Sequence, residues 1–399
     1  MIFCMNYLDL LKFKKMATKR FILSSILLIY LSVMSFYLFT HQYYNFDIEA
    51  YMGLAYQSSN PEMDINTVHS KVYTELRAKN PGHFEYDLVR EEIADGENTY
   101  YKMLAENPKI YEEELEFFKV KPFYNFVNSF FYKLGFSAST STFLISIVSY
   151  VLVVVLIFGF LLKYLKNDIL AFTFTLLLSI FKPMLDSGRH ASPDFLAVLL
   201  LLACFYFFLS RKYLSSAIIS ALCILTRPDY FILFTILFLT VLLFSDKLKV
   251  KKINALFVFL PALASFIYIQ FINKISWSVL FMNQFTKVQL YPVSNPDTFD
   301  INDYFSFIRS NILLEFNASY FLLLALFALV IIYNKVKFDL RNIHFMYVLI
   351  AAIFFSVFIR FLMFPSLVNR MMLGYYLLII LSSVYNQFCF KEENKNYLK

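Results

Sequence analysis

About ten apolar runs, most of them close to 20 residues long, recur along this chain of 399 residues. A helix needs about 20 mostly apolar residues to cross the ~30 Å hydrocarbon core of a bilayer. Hydrophobic residue types make up 59% of the chain and charged types only 16%, whereas a soluble domain has about 25% charged residues. The pattern predicts an all-α polytopic membrane protein with about ten transmembrane helices. The runs lie at 21–40, 142–162, 169–186, 194–210, 213–226, 229–245, 253–273, 312–333, 344–363 and 370–388.

Basic residues indicate how these helices are oriented. With the N-terminus inside, the cytoplasmic segments carry many more Lys and Arg than the short outer segments, as the positive-inside rule requires. An even number of spans then places both termini in the cytoplasm of a multi-pass cell (inner) membrane protein. The first run has no small-residue cleavage site after it, so we expect it to remain as a helix. The predicted segments are a cytoplasmic N-terminus (1–20), a first helix (21–40), a large extracytoplasmic loop (41–141), a bundle of about nine helices (142–388) and a cytoplasmic tail (389–399).

The large loop carries nearly all of the soluble character of the chain, and acidic residues outnumber basic ones there. Turn-forming residues at 80–82, 95–96 and 107–108 divide it into short helices. An aromatic run at 123–131 predicts a helix lying on the membrane surface just before the second span. The short helices are expected at 66–79, 85–93, 97–105 and 109–119.

The sequence lacks the motifs that are characteristic of several classes of soluble enzyme. Walker loops and the G-x-S-x-G, G-x-G-x-x-G, H-E-x-x-H and Cys-x-x-Cys motifs are all missing. None of the four cysteines falls in the large loop, which argues against a disulfide framework or a Cys-based metal site. The formal net charge of +7 follows the membrane topology, so no nucleic-acid partner is expected. No cofactor or metal ligand set is predicted, although a divalent metal stays an open alternative.

Charged residues at the outer ends of the spans are the candidates for chemistry. Asp47 and Glu49 follow the first span, where a carboxylate could act as general base on an acceptor hydroxyl. The alternative is an ordinary helix start, because acidic residues favour the first turn of a helix.

A second group lies between the third and fourth spans and contains Arg189, His190 and Asp194. Asp194 follows Ser192-Pro193, a pattern typical of a helix start. Arg189 lies in a short outer loop, where the positive-inside rule predicts few basic residues. Its planar, charged guanidinium suits a phosphate. His190 could carry a proton, although a single loop histidine is usually only solvated.

A third group, Arg227 and Asp229, lies in a turn after a short predicted helix at 213–226. A charge in such a recessed turn is costly unless it is paired or faces a cavity, so Arg227 is a functional candidate. Its alternative is a structural ion pair with Asp229 or Asp194. Late in the chain, Arg360 and Arg370 could bind substrate or extend to the lipid headgroups.

One carboxylate group and several arginines on one membrane face favour a lipid substrate that carries phosphate. The phosphate would be the leaving group, stabilised by the cations. Asp47 would activate the incoming nucleophile.

The layout of residues 20–390 resembles the GT-C superfamily of membrane glycosyltransferases, which use polyprenyl-phosphate-linked sugars. Phe46-Asp47-Ile48-Glu49 is similar to the family's acidic motif, with Asp-x-Glu in place of adjacent acidic residues. The resemblance continues through Lys121-Pro122-Phe123-Tyr124, the stretches 189–194 and 225–229, and Phe364-Pro365 followed by Arg370. It implies a GT-C-like bundle with a helical first outer loop. It also implies Asp47 as base or acceptor-side carboxylate and Arg189, Arg227 and Arg370 as donor-phosphate ligands.

The preferred prediction is a glycosyltransferase that moves a sugar from a polyprenyl-phosphate donor to a glycan or lipid acceptor on the outer face. Three alternatives stay open at this point: a polymerase or ligase of lipid-linked glycans, a lipid or solute transporter, and a non-catalytic assembly subunit. A transporter usually shows inverted repeats and broken helices near the midplane, and the sequence shows no repeat.

Overall fold

The computed structural model describes the backbone of residues 7–81, 100–165, 167–248, 250–333 and 345–397. The chain is 82% helical, and no strand forms among the described residues, which confirms the all-helical prediction. The predicted helix at 85–93 and the first residues of the one at 97–105 lie outside the described residues. The helices are α1 (Tyr7–Thr40), α2 (Asp47–Ser59), α3 (Ile65–Lys79), α4 (Tyr100–Glu106), α5 (Pro108–Lys119), α6 (Pro122–Lys133), α7 (Ala138–Leu165), α8 (Asp168–Ser179), α9 (Lys182–Arg189), α10 (Asp194–Leu209), α11 (Tyr213–Thr226), α12 (Tyr230–Leu248), α13 (Lys252–Ile272), α14 (Trp277–Phe285), α15 (Ile301–Ala318), α16 (Phe321–Tyr333), α17 (Phe345–Met363) and α18 (Asn369–Tyr397).

Each predicted apolar run is mostly helical, although the runs at 169–186 and 312–333 are divided between two helices each. The helices differ in how far they could reach across a membrane. Four are long and apolar enough to span one: the Thr18–Thr40 part of α1, α7, α12 and α13. Two consecutive pairs, α8 with α9 and α15 with α16, bend by 56° and 59° and would raise the number to six. The apolar helices α10 and α11 and the apolar parts of α17 and α18 are shorter. The chain is thus a helical protein with four to six candidate membrane spans among the described residues.

The short predicted helix at 213–226 is present with the expected bounds, as α11. Its 14 residues reach only about 21 Å at ~1.5 Å per residue. It is joined to α10 by a tight turn in which Arg211 adopts a positive φ of 59°. Its C-terminal end delivers Arg227 into the protein interior, where the side chain is buried.

The region outside the bundle is built from short helices, and side chains cap α3 and α5. Asp64 caps α3 by accepting from the Thr67 amide, and Asn107 caps α5, with Pro108 in its first turn. The aromatic run predicted as a surface helix forms α6. Its Asn128 side chain donates to the Tyr51 carbonyl of α2 at 2.9 Å, which anchors α6 on α2.

Two apolar cores meet at the N-terminus of α10. One core fills the helical bundle and includes Phe195 and Ala197 of α10. The other lies among α2 to α6 and includes Ala191 and Leu196. Asp194 therefore lies at the boundary between the cores, where charged residues from both halves of the protein can meet.

Candidate functional site

Five charged side chains of alternating sign lie in a row at the boundary between the two cores. Arg370 Nη1 lies 3.0 Å from Asp47 Oδ2, and Arg370 Nε lies 3.7 Å from Asp194 Oδ2. Arg227 Nη1 donates to Asp194 Oδ1 at 2.7 Å, and its Nε donates to Asp229 Oδ1 at 2.9 Å. Residues that are far apart in the sequence are thus joined by direct contacts.

Arg360 extends this row by one charge beyond Asp229. Its Nε donates to Asp229 Oδ2 at 2.8 Å, and its Nη1 donates to the Ser366 carbonyl at 2.7 Å. Arg360 is only 2% exposed, so it does not extend to lipid headgroups. We call these six residues the ion-pair chain: its outer end is Asp47 with Arg370, and its inner end is Asp229 with Arg360. Three carboxylates face three guanidiniums, which makes it formally neutral.

Helix ends position each member of the ion-pair chain. Asp47 is the first residue of α2, and Asp194 is the first residue of α10. Arg227 follows the last residue of α11, and Arg370 lies in the first turn of α18. The Ser192-Pro193 pattern predicted a helix start here, with Ser192 in the position of a typical cap. The helix does begin at Asp194, but the cap position is taken by Pro193, and no side chain caps this helix. The Ser192 hydroxyl donates instead to Asp194 Oδ2 at 3.0 Å.

Arg227 has the structural pairing that the sequence offered as an alternative to a functional role. It pairs with both Asp194 and Asp229, and its Nη1 also donates to the Met371 carbonyl at 3.2 Å. Removing a partner from such a buried pair is strongly destabilising, because it leaves an uncompensated charge. The contacts of Arg227 therefore account for its presence without a ligand.

The side chains at the outer end use less of their hydrogen-bonding capacity than Arg227 does. Asn45 Nδ2 donates to Asp47 Oδ2 at 2.6 Å, so this carboxylate oxygen has two neighbours. Arg370 Nη1 is close to Asp47 but makes no well-aligned hydrogen bond, and it is buried. A buried guanidinium nitrogen with unused donor capacity suits an anionic ligand.

Glu49 does not join Asp47 in the ion-pair chain. It is 8% exposed, and its carboxylate accepts from the Tyr73 hydroxyl at 3.2 Å. Tyr111 anchors the same residue by donating to its backbone carbonyl at 2.7 Å. Two positions apart on a helix correspond to about 200° of rotation, so the two carboxylates point to different sides of α2.

Arg189 and His190 lie beside the ion-pair chain without direct contacts to it. Arg189 Nε donates to the His41 carbonyl at 2.6 Å. The His190 ring packs against Tyr43 at 4.7 Å between centroids, and its Nδ1 donates to the Asp186 carbonyl at 2.5 Å. Burial and the Arg370 charge lower the pKa of His190, so the imidazole is held toward its neutral form.

Lys121 was not predicted as a site residue, and the sequence pointed to it only as part of the stretch Lys121-Pro122-Phe123-Tyr124. Its Nζ donates to the Tyr51 hydroxyl at 2.8 Å and lies over the Phe118 ring, 4.7 Å from its centroid. Within the described part of the chain, no carboxylate pairs with it. Burial lowers the pKa of Lys121, whereas the negative charges of Asp47 and Asp194 oppose that shift.

Further polar atoms near the outer end are buried and have no hydrogen-bond partner in the part of the chain that the structure describes. They include Asn45 Oδ1 and the hydroxyl of Tyr124, beside the already described Arg370 Nη1. Tyr230 and Tyr375 present similar hydroxyls toward the inner end. Buried polar groups are normally paired, so the unpaired atoms at the outer end, where Arg370 also has an unused donor, mark a place where a polar ligand can bind.

The described residues contain no group of three or more His, Cys, Asp or Glu side chains arranged to hold a metal ion. The carboxylates of the ion-pair chain each contact a guanidinium. The unpartnered Nη1 of Arg370 and the amine of Lys121 are groups that can bind an anion, and the Asp47 carboxylate is a group that can accept a proton.

Comparison of the chain with protein-family models, with characterised proteins and with solved structures gave no match. The functional interpretation therefore rests on the geometry of the site and on the sequence motifs that compose it.

Proposed function

We propose that this protein is a membrane glycosyltransferase that transfers a sugar from a polyprenyl-phosphate donor to a glycan or lipid acceptor on the outer face of the membrane. The observation that supports this most strongly is the outer end of the ion-pair chain, where Asp47 contacts Arg370, whose Nη1 has no hydrogen-bond partner among the described residues. Lys121, which donates to the Tyr51 hydroxyl and pairs with no carboxylate in the described part of the chain, is the second cation of the site. A carboxylate next to an anion-binding group is what transfer from a lipid phosphate requires.

The proposed topology has ten spans in a GT-C-like bundle, with both termini cytoplasmic and residues 41–141 outside. The shorter helices α10 and α11 would then cross the membrane only in part and leave the ion-pair chain near the outer face. Glu62, which is exposed between α2 and α3, offers a test in a cysteine-free background. Cysteine at position 62 should react with an impermeant maleimide in intact cells. Reaction only after permeabilisation would place the loop inside.

In the proposed reaction, Lys121 and Arg370 bind the donor phosphate, and Asp47 accepts the proton of the acceptor hydroxyl. The acceptor O–H bond breaks, and its oxygen forms a bond to the anomeric carbon of the sugar. The bond between that carbon and the phosphate oxygen breaks, and the lipid phosphate leaves with the electron pair. Arg227 and Arg360 bind Asp194 and Asp229 and thereby hold the helix ends in place.

The test uses purified protein in nanodiscs with a panel of undecaprenyl-phosphoryl sugars and a lipid glycan acceptor. Lys121→Met should lower donor binding at least tenfold, because a desolvated charge-assisted contact to phosphate is lost. Lys133→Met is the matched control, since Lys133 lies at the exposed end of the same helix. Failure of the wild-type protein to bind any member of the panel, or equal loss in both variants, would contradict the proposal.

A further inference from the structure

Tyr124 has an unusual environment for a tyrosine. Its side chain is 0% exposed, and its hydroxyl has no hydrogen-bond partner within the described part of the chain. The ring packs edge-on against Tyr51, with 4.6 Å between centroids. A buried hydroxyl without a partner is costly compared with a phenylalanine of the same shape. The hydroxyl therefore needs a reason beyond packing.

The surroundings of this hydroxyl relate it to the outer end of the ion-pair chain. Tyr124 lies one helical turn after Lys121, at the start of α6. Tyr51 joins the two, because it packs on the Tyr124 ring and accepts from Lys121 Nζ at 2.8 Å. The Tyr124 hydroxyl is also within electrostatic reach of Asp47 and Asp194.

Asn45 supplies a second unused polar atom at the same end. Since the Asp47 carboxylate can only accept, the Asn45 amide nitrogen must face it, as the 2.6 Å contact shows. The amide oxygen Oδ1 then points elsewhere and is buried, and no described residue donates to it. Tyr124 and Asn45 together offer neutral donor and acceptor atoms, whereas Lys121 and Arg370 offer positive charge.

We infer that Tyr124 Oη and Asn45 Oδ1 form a subsite for the hydroxyl groups of the donor sugar, next to the phosphate-binding cations Lys121 and Arg370. A sugar hydroxyl both donates and accepts, so it matches a tyrosine hydroxyl and an amide oxygen better than a phosphate does. The sugar is one bond away from the phosphate, so neutral groups close to the phosphate ligands contact the sugar itself. This inference rests on the proposed function.

The experiment compares the binding of two lipids to purified protein: undecaprenyl phosphate and a panel of undecaprenyl-phosphoryl hexoses and pentoses. Tyr124→Phe should weaken binding of the preferred sugar-bearing lipid about tenfold, the effect of one buried hydrogen bond. Binding of undecaprenyl phosphate should change less than about twofold, because the phosphate ligands are intact. Tyr230→Phe is the matched control, since it removes a similarly unpartnered buried hydroxyl at the inner end, and both affinities should be unchanged.

Folding does not confound this comparison, because Tyr124→Phe removes a hydroxyl that makes no hydrogen bond with any described residue. The unliganded variant should unfold at the same temperature as the wild type or higher. Equal affinity of wild type and Tyr124→Phe for the sugar-bearing lipid would overturn the subsite while leaving the proposed function intact. An equal loss for both lipids would assign Tyr124 to the phosphate instead of the sugar. Absence of binding of either lipid to the wild type would refute the proposed function and the subsite with it.

Discussion

Asp229 is the carboxylate that two buried arginines share, so its charge can be tested by a single substitution. Asp229→Asn preserves the size of the side chain and one acceptor oxygen, but it leaves Arg227 and Arg360 with one negative charge fewer between them. Removing one partner of a buried ion pair costs about 3–5 kcal/mol. The Asp229 side chain is 27% exposed, so we expect the lower end of that range, about 3 kcal/mol.

A second substitution separates charge imbalance from loss of packing. Arg360→Met removes the second guanidinium and keeps a long apolar side chain, and by itself it should cost about 3 kcal/mol, because Asp229 keeps Arg227 as a partner. The double variant Asp229→Asn/Arg360→Met restores neutrality, so its cost should also be about 3 kcal/mol instead of the sum of the two.

The free energy of unfolding can be measured by denaturant titration in detergent micelles with circular dichroism at helical wavelengths. Asp303→Asn is the control, because Asp303 is exposed in the first turn of α15 and should change stability by less than about 0.5 kcal/mol. If the double variant loses the sum of the single effects, the two residues are not coupled and the ion-pair chain does not hold these helices together. A cost below about 0.5 kcal/mol for Asp229→Asn would refute the reasoning in the same way.

Three further predictions concern other parts of the molecule. In the transfer assay, Asp47→Asn should lower turnover about 10²–10⁴-fold. Glu49→Gln should mainly lower stability, because the Glu49 carboxylate is buried and accepts a hydrogen bond from Tyr73. The reverse pattern would assign the role of base to Glu49. Gly374→Ala should destabilise the protein by about 1–3 kcal/mol in the same denaturant titration, since the added methyl group would overlap the Tyr230 hydroxyl; a variant as stable as the wild type would contradict this. Burial raises the pKa of Glu114 from 4.5 to about 7, so the folded state binds its proton more tightly than the unfolded state. The stability that this provides should be complete below pH 4.5 and should fall with rising pH, by at most about 1.4 kcal/mol per unit, until the titration is complete above pH 7. Titrations across this range should show that Glu114→Gln removes that part of the slope, and an unchanged slope would show that another group titrates.

The positions of the helices could be predicted from the sequence, because hydrophobicity and turn residues are local properties. The run at 213–226 became α11 with the same bounds, and Asn107-Pro108 begins α5 as expected. The sequence also identified most of the charged residues of the site as candidates, because each lies beside an apolar run. They are Asp47, Asp194, Arg227, Asp229 and Arg370.

The direction of individual side chains was not predictable in this way. Asp47 and Glu49 are equivalent in sequence, yet only Asp47 meets Arg370, because the rotation of α2 turns Glu49 toward Tyr73. Arg360 resembled a lipid-facing arginine until its partner Asp229, 131 positions away in the chain, was found beside it.

What the sequence determined by itself is a helical membrane protein with its charges gathered at helix ends. That follows from the cost of placing unpaired polar groups in an apolar medium, which every segment experiences separately. Which charges pair with one another was decided only by tertiary structure. Arg227 became a buried structural partner, whereas Lys121 pairs with no carboxylate among the described residues, because ion pairing depends on distances between helices that are remote in the chain.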